Sequence, residues 1–364
     1  MRDSSTRPTA RSRQSPRARA TPAPSAPTAR SNAGGPSGPH RRAWPSTDGS
    51  VAQQVTRSNN AGTREGTFER AVAMTGTLVG AVEAGGTKFR CAAVSSDHKI
   101  VDSHYVLTTD PDTTLANVAE FFGRSEPVAA LGIASFGPVD LDPRSPGYGS
   151  ITDTPKPGWS GAPILGRLSE ALSVPAGIQT DVEAAAVAEQ ALGPPMARRL
   201  AYVTVGTGIG AAIAVDGLPW RGRHHSELGH IPVRRVAGDD YPGRCPFHGD
   251  CLEGMACGPA IAERWGIDPT DAGGRDDIWQ LEASYLAQLV RVLAYSFAPD
   301  RVVFGGGVGA RPGLAEMIRA ATRTELGGYA DYSTGDHAFV IAPALGNDSG
   351  LLGAALLARS RLEG

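Results

Sequence analysis

The chain has 364 residues, of which 41% are hydrophobic, and this is enough for a large buried core and for two lobes. Its charge is uneven. Residues 1–73 hold 12 Arg, no Lys and four acids, a net charge of +8, whereas residues 74–364 hold 23 basic and 33 acidic residues, a net charge of −10. Phosphate neutralisation requires clustered Lys and Arg, so we expect no nucleic-acid partner for this acidic body.

The sequence contains no run of 18 apolar residues and no apolar segment typical of a secretory signal. We therefore expect a cytoplasmic protein without a membrane partner. Three of the four cysteines, Cys245, Cys251 and Cys257, fall within 13 residues, and Cys91 stands apart. In a chain of this length, such clustering favours a metal site or a reducing compartment over a disulfide framework.

Residues 1–73 differ in composition from the rest of the chain, since they are rich in Ser, Pro, Ala, Gly and Arg and poor in large apolar residues. Such a segment buries too little apolar area to offset its ordering entropy, so we expect a disordered leader. Met74 begins a segment suited to a first strand, which favours an incorrectly assigned start or a functionless tail. An organellar transit peptide and a nucleic-acid-binding tail are alternatives.

The remaining sequence alternates strand and helix patterns. In chain order, we expect strands at 78–84, 89–94 and 100–107, a helix at 114–122, a strand at 128–134, a helix at 163–172, a strand at 177–180, a helix at 182–191, and strands at 201–205 and 210–215. After a loop-rich region at 216–258 we expect a helix at 276–298, a strand at 301–304, a helix at 312–325 with Pro312 in its first position, and a helix at 351–362. Hairpins combined with crossover helices predict an α/β fold with two mixed sheets.

Three glycine turns follow predicted strands. The first turn is Glu83-Ala84-Gly85-Gly86-Thr87-Lys88, the second is Gly206-Thr207-Gly208-Ile209-Gly210, and the third is Gly305-Gly306-Gly307. Glycine lets backbone N–H groups approach an anion, and the two threonines add hydroxyl donors. One such turn is typical of a tight hairpin, but three at strand ends favour a nucleotide held between lobes. None has the P-loop spacing, and the second leads into a strand, unlike a dinucleotide-binding turn.

Two acids are candidates for chemistry. Asp181 follows a predicted strand and precedes a predicted helix. A carboxylate is stabilised as the anion at a helix N-terminus, so the local sequence alone favours a capping role. Glu83 lies just before the first glycine turn, where it either holds magnesium, directly or through water, or is an exposed acid at a strand end.

A second cluster has metal-ligand spacing. Cys245, His248 and Cys251 form a Cys-x2-His-x2-Cys loop, and His230 lies fifteen residues upstream of it. Two Cys and two His are an established zinc set, and four protein ligands leave no open position for water, so the zinc would be structural. We expect Cys257 to pack in the core, and His98, His224 and His225, which have no partner at such a spacing, to lie at the surface.

Together these motifs resemble the ROK family of sugar kinases and regulators, within the actin–hexokinase–Hsp70 ATPase superfamily, and most of all its bacterial fructokinase branch. The resemblance covers residues 78–364 and includes the stretch CPFHGDCLEGMACGPA. It implies a two-lobe, ribonuclease-H-like fold with a zinc-binding loop and with ATP between the lobes. The N-terminal lobe would be residues 74–182 and the C-terminal lobe 183–345, and a helix at 346–364 would pack back on the N-terminal lobe.

The resemblance also assigns roles. It implies ATP, Mg²⁺ and Zn²⁺, a sugar substrate and a homodimer, with Asp181 as general base toward the sugar hydroxyl. The residues that it implies for ATP are Gly85, Gly86, Thr87 and Lys88 in the first phosphate motif, Thr207, Gly208 and Gly210 in the second, and Gly305, Gly306 and Gly307 in the adenosine motif. The sugar pocket would contain Gly137, Pro138, Glu227, His230 and Glu253.

The form of the loops indicates the substrate. Thr154-Pro155-Lys156-Pro157-Gly158-Trp159 and the Cys-x2-His-x2-Cys loop are typical of the fructokinase branch, so we expect fructose. Mannose, glucose and N-acetylmannosamine are alternatives, because related pockets differ in few contacts. The Trp159 ring either lies against the sugar or is half-buried in a surface loop.

Two alternatives involve no catalysis. A ROK transcription regulator would need a helix-turn-helix, and residues 1–73 lack helical periodicity. A sugar sensor that no longer phosphorylates is the other alternative. Relatives usually carry Asn where this chain has Glu183, and the additional acid would lie near the reaction centre.

Overall fold

The computed structural model describes residues 76–193, 197–329 and 338–363. The predicted leader at 1–73 lies outside these residues. Among the helices that are described, none is both long enough and apolar enough to cross a bilayer.

The first sheet contains five strands in the order β3-β2-β1-β4-β5. These strands are β1 (Val79–Ala84), β2 (Lys88–Val94), β3 (Ile100–Leu107), β4 (Leu131–Ser135) and β5 (Ala176–Thr180). β2 pairs antiparallel with both β1 and β3, whereas β1, β4 and β5 run parallel to one another. The sheet is therefore mixed, and the carboxyl ends of its three parallel strands lie at one edge.

Helices cover both faces of this sheet. On one face, α1 (Pro111–Arg124) and α2 (Ile164–Leu172) bury Val118 and Leu168 against strand residues such as Ile133. On the other face, α3 (Asp181–Leu192) and α9 (Ser349–Ser360) pack against β1 and β2. Gly132 lets α9 approach closely, because a Cβ there would lie 1.8 Å from the carbonyl oxygen of Ala354.

The second sheet contains five strands in the order β10-β9-β6-β7-β8. These strands are β6 (Arg199–Val205), β7 (Ile209–Val215), β8 (Leu218–Pro219), β9 (Arg301–Gly305) and β10 (Val340–Ile341). β6 pairs antiparallel with β7 and parallel with β9, so this sheet is mixed as well. The helices associated with it are α4 (Leu252–Ala256), α5 (Gly258–Trp265), α6 (Asp276–Phe297), α7 (Gly306–Gly309) and α8 (Leu314–Leu326).

Helix α3 lies between the two sheets. Ala184 and Ala188 belong to the core of the first sheet, whereas Val182 and Ala186 pack with residues of the second sheet such as Tyr202. The small side chains of α3 let both sheets approach it. The residue at its N-terminus is consequently held close to both sheets.

The prediction of two mixed sheets is confirmed, and the predicted elements are present with shifted ends. The predicted start of α8 is wrong: Pro312 precedes the helix, which begins at Leu314 after Gly313, a residue in the left-handed region (φ 86°). We did not predict α5. Its Gly258-Pro259 start has the composition of a loop, yet proline is tolerated in the first turn of a helix.

Candidate active site

The parallel strands of the first sheet bring predicted site residues to one edge. The register pairs Ala84 with Ser135, and Ser135 with Thr180. The first glycine turn, the loop containing Gly137, and Asp181 therefore all follow this edge directly. Residues separated by about a hundred positions in the sequence become neighbours through strand pairing.

The second and third glycine turns meet at the edge of the second sheet. Thr204 on β6 is paired with Gly305 on β9, so the turns after these strands are adjacent. Gly306 has φ of 81°, and a Cβ there would lie 2.5 Å from the carbonyl oxygen of Val205, so this position requires glycine. Within the second turn, Gly206 donates its N–H to the carbonyl of Gly208 at 2.9 Å.

A pocket opens between the two edges. It is lined by residues of both sheets, of α3, of the start of α7, and of the start of α9 with the segment before it, namely Glu83, Asp181, Val182, Ala185, Tyr202, Thr204, Gly306, Gly346, Asn347, Ser349 and Gly350. Two of these residues are carboxylic acids and none is basic. A polyanion bound here would need a cation beside it, because like charges repel in a site of reduced dielectric.

Asp181 is the first residue of α3 and lines this pocket. Its Oδ1 accepts a hydrogen bond from the N–H of Val182 at 2.8 Å. Burial raises the pKa of Asp181 to about 6, against the lowering effects of backbone N–H groups and of His225, and Glu183 raises it further. The group is therefore mostly ionised at neutral pH and has the strength of a useful general base.

Glu83 is the second acid of the pocket. Burial raises its pKa to about 7, and the charge of Asp181 adds to this increase, while Arg90 and Lys88 oppose it. Gly350 leaves space for the carboxylate, since a Cβ at that position would lie 2.3 Å from Glu83 Oε1. A buried carboxylate with a raised pKa gains most from a bound cation, because the cation favours its ionised form.

Glu183, which stands where relatives usually carry Asn, lies in the first turn of α3. Thr180 Oγ1 accepts the N–H of Glu183 at 3.2 Å, and Glu183 Oε2 accepts the N–H of Thr180 at 3.0 Å, which forms a capping box. The Glu183 carboxylate also forms an ion pair with Arg221, a residue that the sequence analysis did not single out.

The four predicted metal ligands are close together. The ligand atoms of His230, Cys245, His248 and Cys251 all lie within 4.8 Å of one another. Both cysteine side chains are buried. Cys257 is also buried but lies outside the cluster, with its Sγ 4.0 Å from Nη1 of Arg244.

Glu253 connects this cluster to the second glycine turn. Its Oε2 accepts the N–H of Ile209 at 2.9 Å, and its Oε1 lies 4.0 Å from Nε2 of His230. The Nδ1 of the same histidine faces Cys251 Sγ at 3.5 Å. The two ring nitrogens of His230 therefore face different partners. A carboxylate that orients a ligating histidine through its second nitrogen is a common arrangement at metal sites.

The predicted phosphate-binding side chains have varied surroundings. Thr87 and Thr207 are exposed beside their turns. Lys88 directs its Nζ over the ring of Tyr105, 4.3 Å from the ring centroid. Gly210 lies against Val182, since a Cβ at position 210 would lie 3.0 Å from a methyl group of that residue.

Two expectations about aromatic side chains are corrected. Trp159 is fully buried, and its Nε1 donates to the carbonyl of Thr109 at 2.7 Å, so its ring has no face for a sugar. The expectation that His225 lies at the surface is wrong as well, because its side chain is only 13% exposed, whereas the neighbouring His224 is exposed. The His225 ring packs near Gly137, whose peptide bond to Pro138 is cis.

Two mixed sheets with glycine turns and carboxylates between their edges define an α/β protein of the actin–hexokinase type. The chain matches the ROK family over residues 79–361. It therefore belongs to the ROK family.

Individual relatives agree with this assignment. The chain is 40% identical over 289 residues to a fructokinase of Pediococcus pentosaceus, covering 79% of this chain and 99% of the relative. It is 39% identical over 290 residues to a putative fructokinase of Bacillus subtilis (strain 168), covering 79% and 97%. The crystal structure of a ROK family glucokinase from Streptomyces griseus in complex with glucose and AMPPNP matches with a TM-score of 0.64 and 25% identity, covering 78% and 99%.

Proposed function

We propose that this chain is an ATP-dependent hexose kinase that converts fructose to fructose 6-phosphate. The observation that carries the proposal is the position of Asp181, a base with a pKa of about 6 in a pocket between the glycine turns of two sheets. Fructose is favoured over glucose because the relatives named fructokinase are 39–40% identical, whereas the glucokinase of known structure is 25% identical.

The turns supply the ATP site. In the turns at 85–88 and 206–210, the phosphates are bound by backbone N–H groups such as those of Gly86, Thr87, Thr207 and Gly208, because glycine removes the Cβ that would keep an anion at a distance. The N–H groups of Gly85, Gly206 and Ile209 already donate within the protein. The turn at 305–307 lies against the adenosine. Glu83 would hold Mg²⁺, and the ion would supply positive charge beside the phosphates.

Asp181 removes the proton from the 6-hydroxyl of the sugar. The hydroxyl oxygen then forms a bond to the γ-phosphorus, and the bond from that phosphorus to the bridging oxygen of ADP breaks. Gly137, Pro138, Glu227, His230 and Glu253 form the sugar side of the site, where carboxylates accept hydrogen bonds from neighbouring hydroxyls. We assign the two lobes that enclose the site to residues 74–182 and 183–345, and the segment 346–364, which contains α9, completes the first lobe.

The Cys/His cluster holds one structural Zn²⁺. Its sulfur–nitrogen distances of 3.5–3.7 Å fit this proposal. In a tetrahedral site with bonds of about 2.0–2.3 Å, ligand atoms are separated by roughly 3.4–3.8 Å. Four protein ligands leave no position for substrate, so the metal maintains the loop that carries His230 toward Glu253.

A kinetic assay tests the proposal. ADP release by the full chain is measured with fructose, mannose, glucose and N-acetylmannosamine, alongside Asp181→Ala and Asp181→Asn. We expect the fastest turnover with fructose, and a loss of roughly 10²–10⁴-fold in both variants. A faster rate with another hexose would overturn only the substrate assignment. Binding of a sugar without any turnover would overturn the kinase and support a sugar sensor.

A further inference from the structure

His225 lies between two predicted parts of the sugar site, Glu227 and the Gly137 loop. Its Nδ1 is 3.3 Å from Glu227 Oε1. The Cε1–Nε2 side of its ring faces the Gly137 loop, and a Cβ on Gly137 would lie 3.7 Å from Cε1 and 3.9 Å from Nε2. The ring also acts on Asp181, since a positive charge on it would lower the pKa of that carboxyl.

The contact with Glu227 selects one tautomer of the neutral ring. The carboxylate of Glu227 is an acceptor 3.3 Å from Nδ1, and this proximity favours the tautomer that carries its hydrogen on Nδ1. Nε2 is then left with a lone pair. An ionised Asp181 is also an acceptor, and two acceptors cannot bond to each other. A ligand with adjacent hydroxyl groups supplies one donor to each of them.

We propose that His225 is a further sugar-binding residue, whose Nε2 accepts a hydrogen bond from a hydroxyl near the one that Asp181 deprotonates. The inference rests on the proposed hexose kinase activity. It extends the sugar site from the carboxylates to a histidine that bridges Glu227 and the Gly137 loop. Glu227 then has two roles, since it orients the His225 ring and also faces the substrate.

Two substitutions separate contact with the sugar from support of Glu227. His225→Asn places an amide N–H near the position of Nδ1, which retains the donor to Glu227 but removes the acceptor at Nε2. His225→Gln places an amide oxygen near the position of Nε2. We expect KM for fructose to rise about tenfold in His225→Asn, as for loss of one neutral hydrogen bond, and to recover partly in His225→Gln. The matched control is His224→Ala, which changes the adjacent exposed histidine and should retain the wild-type KM.

The contact is assigned with monodeoxy analogues of fructose. For the analogue that lacks the partner hydroxyl, wild type and His225→Asn should have equal kcat/KM, whereas for every other analogue the variant should be about tenfold worse. A wild-type KM in His225→Asn overturns the inference. An equal loss with all analogues also overturns it, because that result assigns His225 to positioning Glu227 alone.

Calorimetric titration of fructose distinguishes this inference from the proposed function. If the wild type binds fructose without turnover, the kinase proposal fails, and the Kd values of the wild type and His225→Asn still test the contact. Melting temperatures of the variants show whether each one folds.

Discussion

Arg221 forms a two-point ion pair with the buried carboxylate of Glu183, with distances of 2.7 Å from Nε to Oε1 and 2.8 Å from Nη2 to Oε2. The Glu183 side chain is 3% exposed and that of Arg221 is 32% exposed. The pair joins the segment after β8 to the residue two positions after Asp181. The additional acid at position 183 is therefore neutralised by a partner, and both its carboxylate oxygens are used.

Arg221→Ala should destabilise the protein, because it leaves the buried carboxylate of Glu183 without a partner. We expect the free energy of unfolding to fall by about 2–3 kcal/mol, less than for a fully buried pair because Arg221 is partly exposed. Glu183→Asn should cost less, since the freed arginine can reach water. Urea unfolding measures both variants, and an Arg221→Ala protein as stable as wild type would show that the pair contributes nothing.

The acid limb of the pH–rate profile should report Asp181. The base acts only when ionised, and burial raises its pKa to about 6. We therefore expect kcat/KM for fructose to rise about tenfold per pH unit below 6 and to level off above it. The measurement covers pH 5 to 8 at saturating magnesium and ATP. A profile that is flat down to pH 5 would contradict the assignment of Asp181 as the base.

The ionised carboxylate of Asp181 should also lower the free energy of unfolding of the protein. Its folded-state pKa of about 6 lies above its ordinary value of 3.8, so the ionised form is disfavoured by folding. This cost is full above pH 6 and disappears below about pH 4. Asp181→Asn should therefore be more stable than wild type by about 1–3 kcal/mol at pH 8, with the difference vanishing near pH 4. Urea unfolding at both pH values checks this, and a less stable variant at pH 8 would contradict it.

Glu83→Gln should increase the Mg²⁺ concentration that the enzyme needs for half-maximal activity. Because Glu83 has a pKa of about 7, its protonated fraction grows as the pH falls through 7 and its affinity for a cation declines. We expect the half-saturating Mg²⁺ concentration of wild type to increase below pH 7, and that of the variant to be higher and independent of pH. The control is Glu120→Gln, an exposed acid on α1. Equal magnesium requirements in wild type and Glu83→Gln would exclude this role.

The purified chain should contain one zinc per molecule. Cys245→Ser removes one ligand of the cluster, whereas Cys257→Ser changes a buried cysteine outside it. We expect loss of zinc and a lower melting temperature in the first variant, and retained zinc in the second. Elemental analysis and thermal unfolding provide the measurements. If both variants keep their zinc, the metal is bound elsewhere.

Features encoded by short stretches were predictable. Cys245, His248 and Cys251 occupy one loop, so their spacing alone indicated a metal site. The position of Asp181 at the start of a helix was predictable because a buried strand ends just before it, whereas its role as general base was implied only by the family resemblance. Each glycine turn follows its own strand. Each of these features depends only on residues a few positions away along the chain, so it can be recognised without the tertiary structure.

Other features depended on packing between distant segments. The sequence left open whether the Trp159 ring lies against the sugar or is half-buried in a surface loop. Both alternatives are wrong, because the ring is fully buried and packs with Phe89 and Phe136. His225 had no partner at a recognisable spacing. Its surroundings come from the Gly137 loop of one sheet and from Asp181 at the start of α3.

The sequence by itself determined the order of strands and helices, the glycine turns, the metal-ligand spacing and the acid at the start of α3, because these follow from local periodicity and backbone geometry. Only the tertiary structure decided that Arg221 neutralises Glu183, that Glu253 supports the second glycine turn, and that His225 lies beside Glu227 and the Gly137 loop. Such contacts join residues up to 88 positions apart, as between His225 and Gly137. They arise because strand pairing and helix packing bring both sheets to one pocket.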